Sequence, residues 1–305
     1  MQHYGLVNPM ADTCSPTLSR GALTLVLAPS RGGGIARFEY RSMDGAAIPL
    51  LRGTERADAP ILDHASFPLV PFVNRVRGGR FAFRGREVVL SPNLAGEPSP
   101  LHGQGWLAEW TVAALGESRA SLVYTHPPGE WPWAYHAAQH FGLDEGGLTV
   151  TLSCTNRSPT PMPCGLGHHP YFPCTPDTLV EAGVATAWTV DAQCLPVERV
   201  PATGRYGLAA RRLCGAGLDN GFGGWSGRAR IATPDLPFRI ELSSPEARFL
   251  HVYAPPAGGV FAAEPVTHAN AALGEPEGSW AELGLQVLEP GATMSLTMRV
   301  EILPV

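Results

Sequence analysis

Glycine and proline interrupt this chain from end to end, and that spacing limits what it can fold into more than any other feature. The 305 residues include 35 glycines and 30 prolines, about one residue in five against roughly one in eight in average proteins. Both residues are unfavourable inside helices, and frequent turns favour many short strands. The sequence therefore predicts an all-β protein.

Between these turns, most segments alternate apolar and polar residues or are rich in β-branched and aromatic residues. They predict strands at residues 23–27, 35–40, 80–83, 87–90, 110–115, 120–125, 135–143, 148–156, 228–233, 238–243, 249–253, 259–264 and 292–303. Turns at 84–86 and 144–147 predict hairpins. No convincing amphipathic helix occurs, and short helical turns are expected near 196–213 or 269–273. Without a linker or an internal repeat, we expect one large antiparallel β-sandwich over 18–305, preceded by a partly ordered extension, 1–17.

The charged residues exclude several classes of function. All 22 basic residues are arginine, so mechanisms that need a lysine amine, such as Schiff-base formation, pyridoxal phosphate attachment or a P-loop, are excluded. The net charge is −5 and no basic block occurs, which argues against nucleic-acid and membrane partners. No signal-peptide pattern or membrane-spanning apolar run occurs, so a cytoplasmic protein is expected. The six cysteines form no C-x-x-C pair and are expected to be reduced and mostly buried.

Two segments carry polar side chains that suit a sugar site. Asn74 and Arg75 lie in an apolar stretch, where an arginine is costly to bury unless it meets an anion or several acceptors. His102 lies between glycines and near Trp106 and Trp110, and aromatic rings stack on the apolar faces of pyranoses. The alternatives are an arginine on a surface turn and a purely structural histidine.

Adjacent histidines, His168 and His169, raise the question of a metal site. Neighbours on an extended chain point to opposite faces, so they rarely bind one ion together. Pro170 favours extended geometry at His169, which would direct one imidazole into a cleft. His136 and His140 have the spacing of a helical zinc pair, but they lie in a predicted strand. The sequence therefore favours no metal site.

Two carboxylates complete the set of candidates. Glu264 ends the small, apolar run 260–263, and burial there would disfavour its ionisation, as in a tuned general base. A solvent-exposed glutamate at a strand end is the alternative. Asp219 begins an Asp-Asn-Gly sequence, which by itself predicts a turn.

Taken in order, these segments resemble the aldose 1-epimerases, or galactose mutarotase-like proteins, from about Leu18 to Val305. The resemblance rests on five motifs: Asn74-Arg75 with Gly79 and Phe81, Leu101-His102-Gly103, His169-Pro170-Tyr171-Phe172, Leu218-Asp219 and Ala263-Glu264-Pro265. It implies a large antiparallel β-sandwich with the sugar in a cleft on one sheet and with no cofactor or metal.

The resemblance also implies roles for single residues. Glu264 would be the general base and His169 the general acid of anomer interconversion. Arg75, His102 and Asp219 would bind the sugar, and Asn74 would orient the arginine segment. The expected substrate is a free aldohexose such as glucose or galactose, and the expected state is a monomer or a homodimer.

The chain departs from the family pattern beside its histidines. His168 stands where the archetypal mutarotases have Asn, Pro173-Cys174 stands where they have Asn-Leu, and Gln104 replaces a glycine. These departures indicate a divergent branch and leave the sugar open. A non-catalytic carbohydrate-binding or regulatory protein and a hexose-phosphate 1-epimerase are the alternative functions.

Overall fold

The computed structural model describes residues 15–56, 58–234 and 236–304, and strands make up almost all of its regular structure. The first twelve strands are Thr17–Arg20 (β1), Leu23–Ala28 (β2), Gly34–Arg41 (β3), Ala47–Leu51 (β4), Pro68–Leu69 (β5), Arg80–Phe83 (β6), Arg86–Val89 (β7), Thr111–Leu115 (β8), Arg119–His126 (β9), Tyr135–Leu143 (β10), Gly147–Asn156 (β11) and Met162–Cys164 (β12). The others are Gly167–His168 (β13), Tyr171–Pro173 (β14), Leu179–Ala182 (β15), Thr186–Val190 (β16), Pro196–Pro201 (β17), Arg211–Arg212 (β18), Leu218–Gly223 (β19), Arg228–Ala232 (β20), Phe238–Ser243 (β21), Phe249–Ala254 (β22), Val260–Val266 (β23), Gln286–Leu288 (β24) and Thr293–Pro304 (β25).

Helical structure is confined to single turns. Within the described ranges, the one α-helix is Trp280–Leu283 (α1). The 3-10 turns are Ile61–Asp63, Arg77–Gly79, Gly105–Leu107, Gly204–Tyr206, Ala272–Gly274 and Glu277–Ser279. No described helix is long and apolar enough to cross a membrane.

Two large sheets dominate the architecture. One has nine strands in the order β18-β15-β20-β21-β25-β11-β10-β9-β8, and the other has the order β17-β16-β19-β22-β23-β13-β5, with β14 also paired to β23. Strands β1 to β4 form a third sheet, and β6–β7 and β12–β24 are two-stranded. Neighbouring strands in these sheets pair antiparallel, as the sequence predicts.

The main hydrophobic core takes side chains from one face of each large sheet. On the nine-stranded sheet, Leu148, Val150 and Leu152 alternate into it, and Leu250 and Val252 of β22 do so from the other sheet. Side chains point alternately to the two faces of a strand. The residues between those core positions on β22 therefore lie on the outer face of the second sheet, where the candidate site forms.

Most predicted strands are confirmed within one or two residues. The predicted bounds 80–83, 135–143 and 238–243 are those of β6, β10 and β21. The turns at 84–86 and 144–147 join the hairpins β6–β7 and β10–β11, also as predicted. His136 and His140 lie on β10, which confirms their strand geometry.

The two predicted helical turns are confirmed, and one turn prediction needs correction. The segment 196–213 contains the 3-10 turn Gly204–Tyr206 between β17 and β18, and the turn expected near 269–273 is Ala272–Gly274. The Asp-Asn-Gly sequence forms no turn. It lies within β19, which is paired along its whole length with β22, so tertiary pairing overrides the local signal.

The structure covers only part of the predicted N-terminal extension and five of the six cysteines. Residues 1–14 of the predicted extension lie outside the described residues, and the domain division at residue 18 stays a prediction. Cys154 and Cys164 are buried free thiols, whereas Cys174, Cys194 and Cys214 are free and half-buried. Burial of the thiols is thus less complete than the sequence predicts, and Cys14 is not among the described residues.

Candidate active site

A cavity of about 300 Å³ opens on the outer face of the second sheet. It is lined by all six residues selected from the sequence: Asn74, Arg75, His102, His169, Asp219 and Glu264. Phe67, Tyr171 and Tyr253 supply aromatic lining. Trp106 and Trp110, which the sequence favours as sugar-stacking rings, are instead buried in the protein interior.

Three polar residues of the cavity come from adjacent strands. Asp219 lies on β19, His251 on β22 and Glu264 on β23. His251 is the register partner of both Gly221 and Glu264. Because Asp219 lies two residues from Gly221, strand alternation places all three side chains on one face.

Glu264 and His169 form a buried pair. His169 follows β13, and its Nε2 lies 3.2 Å from Oε1 of Glu264. Its ring stacks on Phe67 with 4.6 Å between centroids. Glu264 Oε2 and His169 Nδ1 are buried without a hydrogen-bond partner among the described residues. His168 is also buried but does not line the cavity.

Burial disfavours the charged form of both partners. It raises the pKa of Glu264 to about 8, against the lowering effect of a charged His251. It lowers the pKa of His169 to about 3, assisted by the charge of His251. Over the range between these values the pair holds a single proton.

The loops that carry Asn74 and His102 hold each other in place. The backbone N–H of Asn74 donates to Nδ1 of His102 at 3.0 Å, and the backbone N–H of His102 donates to the carbonyl oxygen of Asn74 at 3.0 Å. Burial and the nearby His169 and Arg75 hold the pKa of His102 well below its usual value. Its imidazole is therefore neutral, with the proton on Nε2.

Arg75 is already held by acidic groups. Its Nη2 lies 2.9 Å from Oε2 of Glu97 and 3.5 Å from Oδ2 of Asp219, and its Nη1 donates to Oδ1 of Asn74 at 3.2 Å. Although burial opposes it, these carboxylates raise the pKa of Arg75. The guanidinium is thus fixed at the cavity wall.

The neighbouring arginines lie outside the cavity. Arg77 does not share a strand face with Arg75, since it begins a 3-10 turn and donates to the carbonyl of Pro196 at 2.6 Å. Arg80 forms an exposed ion pair with Glu87 at 2.9 Å. After the Gly78-Gly79 turn, Arg80 points away from the cavity.

Asp219 and His251 make a second charged contact. Nε2 of His251 lies 2.6 Å from Oδ1 of Asp219. Burial acts against both charges, but His251 and Arg75 hold the pKa of Asp219 well below its usual range, and Glu264 and Asp219 raise the pKa of His251. The ionic chain Glu97–Arg75–Asp219–His251 therefore ends beside Glu264.

Sequence reasoning missed His251 and Arg52. The alternation of β22 could have placed residue 251 on the outer face, but its register with Glu264 is known only from the folded structure.

Arg52 follows β4, lines the cavity and lies over the ring of Tyr171, 3.9 Å from its centroid. Its Nη2 donates to the carbonyls of Leu62 and His64. No acidic group among the described residues pairs with it within 4 Å.

The 73–75 segment is anchored from far along the chain. Nε2 of His268 accepts the backbone N–H of Val73 at 3.0 Å, and Oδ1 of Asn270 accepts that of Arg75 at 3.3 Å. A Cβ at position 165 would lie 1.9 Å from the His268 ring. Gly165 is therefore required for His268 to reach the segment.

His102, His169 and Glu264 also have the donor atoms of a potential cation site. One donor atom from each lies within 4.8 Å of the others. Two imidazoles and one carboxylate are a donor set that zinc accepts. Nε2 of His169 and Oε1 of Glu264 are also close enough to each other for a direct contact, and the prediction of no metal is left to experiment.

Comparisons with known proteins agree with this geometry. Residues 15–301 match the family described as aldose 1-epimerase. The uncharacterized protein YphB of Escherichia coli K12 is 36% identical over 298 residues, which cover 93% of this chain and 98% of YphB.

Solved structures show the same similarity. A crystal structure of a proposed aldose 1-epimerase from Escherichia coli K12 is 34% identical, with a TM-score of 0.85 over 95% of this chain and 99% of the other. A galactose mutarotase-like protein from Clostridium acetobutylicum shares the fold, with a TM-score of 0.81 over 95% of each chain at 17% identity. This chain, with its predicted β-sandwich, therefore belongs to the aldose 1-epimerase family.

Proposed function

We propose that this protein is an aldose 1-epimerase that interconverts the α and β anomers of a free aldohexose by ring opening and reclosure. The observation that carries the proposal is the His169–Glu264 pair, with its atoms 3.2 Å apart in a cavity lined by Arg75, Asp219 and His102. A base and an acid side by side suit a reaction that moves two protons on neighbouring oxygens of one carbon.

In each step, the protons that move are taken up and given by Glu264 and His169. The Glu264 carboxylate takes the proton of the C1 hydroxyl, the bond between C1 and the ring oxygen breaks, and the His169 imidazolium gives its proton to that oxygen. The products are an open-chain aldehyde, a protonated Glu264 and a neutral His169. Rotation about the C1–C2 bond and the same transfers in reverse close the ring on the other face.

Burial of the pair favours this exchange. Since neither charge is well solvated, the carboxylic acid with a neutral imidazole is the stable form, and one proton transfer gives the carboxylate and imidazolium together. The pair holds one proton before and after ring opening, so no proton has to come from the solvent during turnover.

The other polar residues bind the sugar in this proposal. An ionised Asp219 accepts from a ring hydroxyl, whereas Arg75 and the Nε2–H of His102 donate to sugar oxygens. Asn74 orients the arginine segment through the bonds from its Oδ1 to the backbone and side chain of Arg75. These contacts fix the ring so that the C1 hydroxyl faces the pair.

The two alternative functions are less well supported. A non-catalytic binding module needs no acid and base in contact, and this cavity holds both. A hexose-phosphate epimerase needs cations free to clamp a phosphate, but Arg75 is committed to Glu97 and Asp219. Arg52 lies over Tyr171 with its Nη2 bonded to two carbonyls, and Arg77 and Arg80 lie outside the cavity. The proposal also includes four further properties: action without a cofactor or a metal, cytoplasmic location, a role in hexose metabolism and a monomeric or homodimeric state.

Polarimetry tests the proposal directly. Purified protein should speed the optical rotation change of freshly dissolved α-D-glucose or α-D-galactose well beyond the spontaneous rate. The Glu264→Gln variant should still bind the sugar, as followed by tryptophan fluorescence, and should lose at least about 10²-fold in rate. Near-normal turnover in that variant would contradict the role of Glu264, and binding without any acceleration by the native protein would favour the binding module.

A further inference from the structure

A second and larger cavity is lined by residues from both large sheets. Its volume is about 670 Å³, compared with about 300 Å³ for the first, and the two share no lining residue. It opens where β19 and β21 end and β20 and β22 begin, and Leu283 of α1 forms part of its wall. Its size is within the range of roughly 300–1,000 Å³ that is usual for small-molecule sites.

Two aromatic rings separate this cavity from the active site. Trp188 and Phe249 line it, and their centroids are 6.0 Å apart. A Cβ at position 223 would lie 3.1 Å from Cη2 of Trp188, so Gly223 lets the indole lie close over β19. The space behind the two rings that reaches Asn74 and His251 is about 10 Å³. A sugar cannot pass there, so the second cavity is not an extension of the first.

Indole rings contribute to the lining of the second cavity. Trp188 is half-buried, whereas Trp225 is buried and held by a hydrogen bond from its Nε1 to the carbonyl of Arg228 at 3.0 Å. Indole rings stack on the apolar face of a pyranose, and Trp188 is the indole that is exposed enough to do so. Ser226, Ser243 and Glu282 supply polar atoms for hydroxyl groups.

Positive charge exceeds negative charge in this lining. Three arginines, Arg199, Arg228 and Arg248, face one carboxylate, Glu282. Arg199 and Arg228 each have a carboxylate partner at 3.0 Å. Within the part of the chain that the structure describes, Arg248 has no acidic partner within 4 Å and is exposed. A guanidinium in that position is available to a carboxylate or a phosphate.

We propose that this second cavity binds an anionic sugar, a hexose phosphate or a hexuronate, at a site separate from the catalytic cavity. Trp188 would hold the ring, Arg248 the anionic group, and Glu282 a hydroxyl.

Isothermal titration calorimetry with glucose 6-phosphate and with glucuronate tests this site and distinguishes the two kinds of anion. At least one should bind with a Kd of about 1 mM or lower, and binding should weaken with added salt. Arg248→Gln should weaken it about tenfold and leave mutarotation of glucose at the native rate. Arg119→Gln is the matched control, since Arg119 is an exposed arginine on β9 that does not line the cavity, and it should leave the Kd unchanged.

Four outcomes would overturn the proposal. They are no binding of either anionic sugar, equal binding of D-glucose, equal binding of inorganic phosphate, and a loss caused by Arg75→Gln rather than by Arg248→Gln. The last outcome would locate the ligand in the catalytic cavity. None of them depends on whether the chain catalyses anomer exchange.

Discussion

Asn74 and His102 both have left-handed backbones, with φ of 56° and 59°, and they exchange two hydrogen bonds of 3.0 Å. Asparagine and histidine both adopt this conformation more readily than most residues other than glycine. Because Nδ1 of His102 accepts one of these bonds, the proton of the neutral ring is on Nε2. This Nε2–H is the donor that His102 offers to the cavity. Backbone geometry in two loops thus determines the tautomer of a sugar-binding side chain.

Asn74→Ala should raise KM about fivefold with a smaller change in kcat, because Arg75 loses an acceptor that orients it. A left-handed alanine is also strained by about 1 kcal/mol. Asn74→Gly removes the same side chain without the strain. Polarimetry and thermal unfolding of both variants separate the effects, and full activity of the glycine variant would contradict an orienting role for the amide.

The rate should be nearly constant in the neutral range and fall above about pH 8. The pKa of Glu264 is raised to about 8 and that of His169 is lowered to about 3, so the pair keeps its one proton between these values. Above the higher value the proton is lost, and His169 has none to give. Polarimetry corrected for the spontaneous reaction measures this profile. A rate that still climbs at pH 9 would mean that the fully deprotonated pair is active.

His169→Asn should lose at least about 10²-fold in rate, whereas His168→Asn should retain most of it. Only His169 lies in the cavity with Glu264. Circular dichroism of both variants controls for folding, since both histidines are buried. Equal losses would contradict the assignment of the acid to His169, and inhibition of the native protein by a chelator would support a metal bound by His102, His169 and Glu264.

His251→Gln should lower the plateau rate and move the alkaline fall to higher pH. A protonated His251 lowers the pKa of Glu264 and so favours its carboxylate, and glutamine keeps a hydrogen bond to Asp219 without the charge. His251 is thus a positioning residue, and the shift of the pH profile is the readout. A lower rate with an unmoved alkaline limb would indicate a structural role alone.

Free glucose should be a better substrate than glucose 6-phosphate. Arg75 is paired with two carboxylates, and Arg52 is held against Tyr171 with its Nη2 bonded to two carbonyls. Anomer exchange measured by NMR on both sugars over a range of salt gives the comparison. Faster exchange of the phosphate that weakens steeply with salt, and that Arg52→Gln abolishes, would contradict a neutral substrate.

The sequence predicts the strands well because alternation and turns are local signals. The bounds of β10 agree with the prediction over nine residues. Asp219 shows the limit of local signals, since its turn sequence is extended by pairing along β22. His251 and Arg52 escaped prediction for a related reason. The position of His251 in the cavity depends on the register of β22 with β23. The position of Arg52 depends on how the chain after β4 approaches Tyr171. Neither arrangement follows from neighbouring residues.

The hydrogen bond from Val73 to His268 joins positions 195 residues apart. Contacts of such sequence separation form late and slow the folding of a chain, since a long loop must close before they form. The catalytic cavity therefore assembles only when both halves of the sequence have docked. During refolding from denaturant, turnover should recover later than strand content. The return of activity would then report the time at which the last tertiary contacts form.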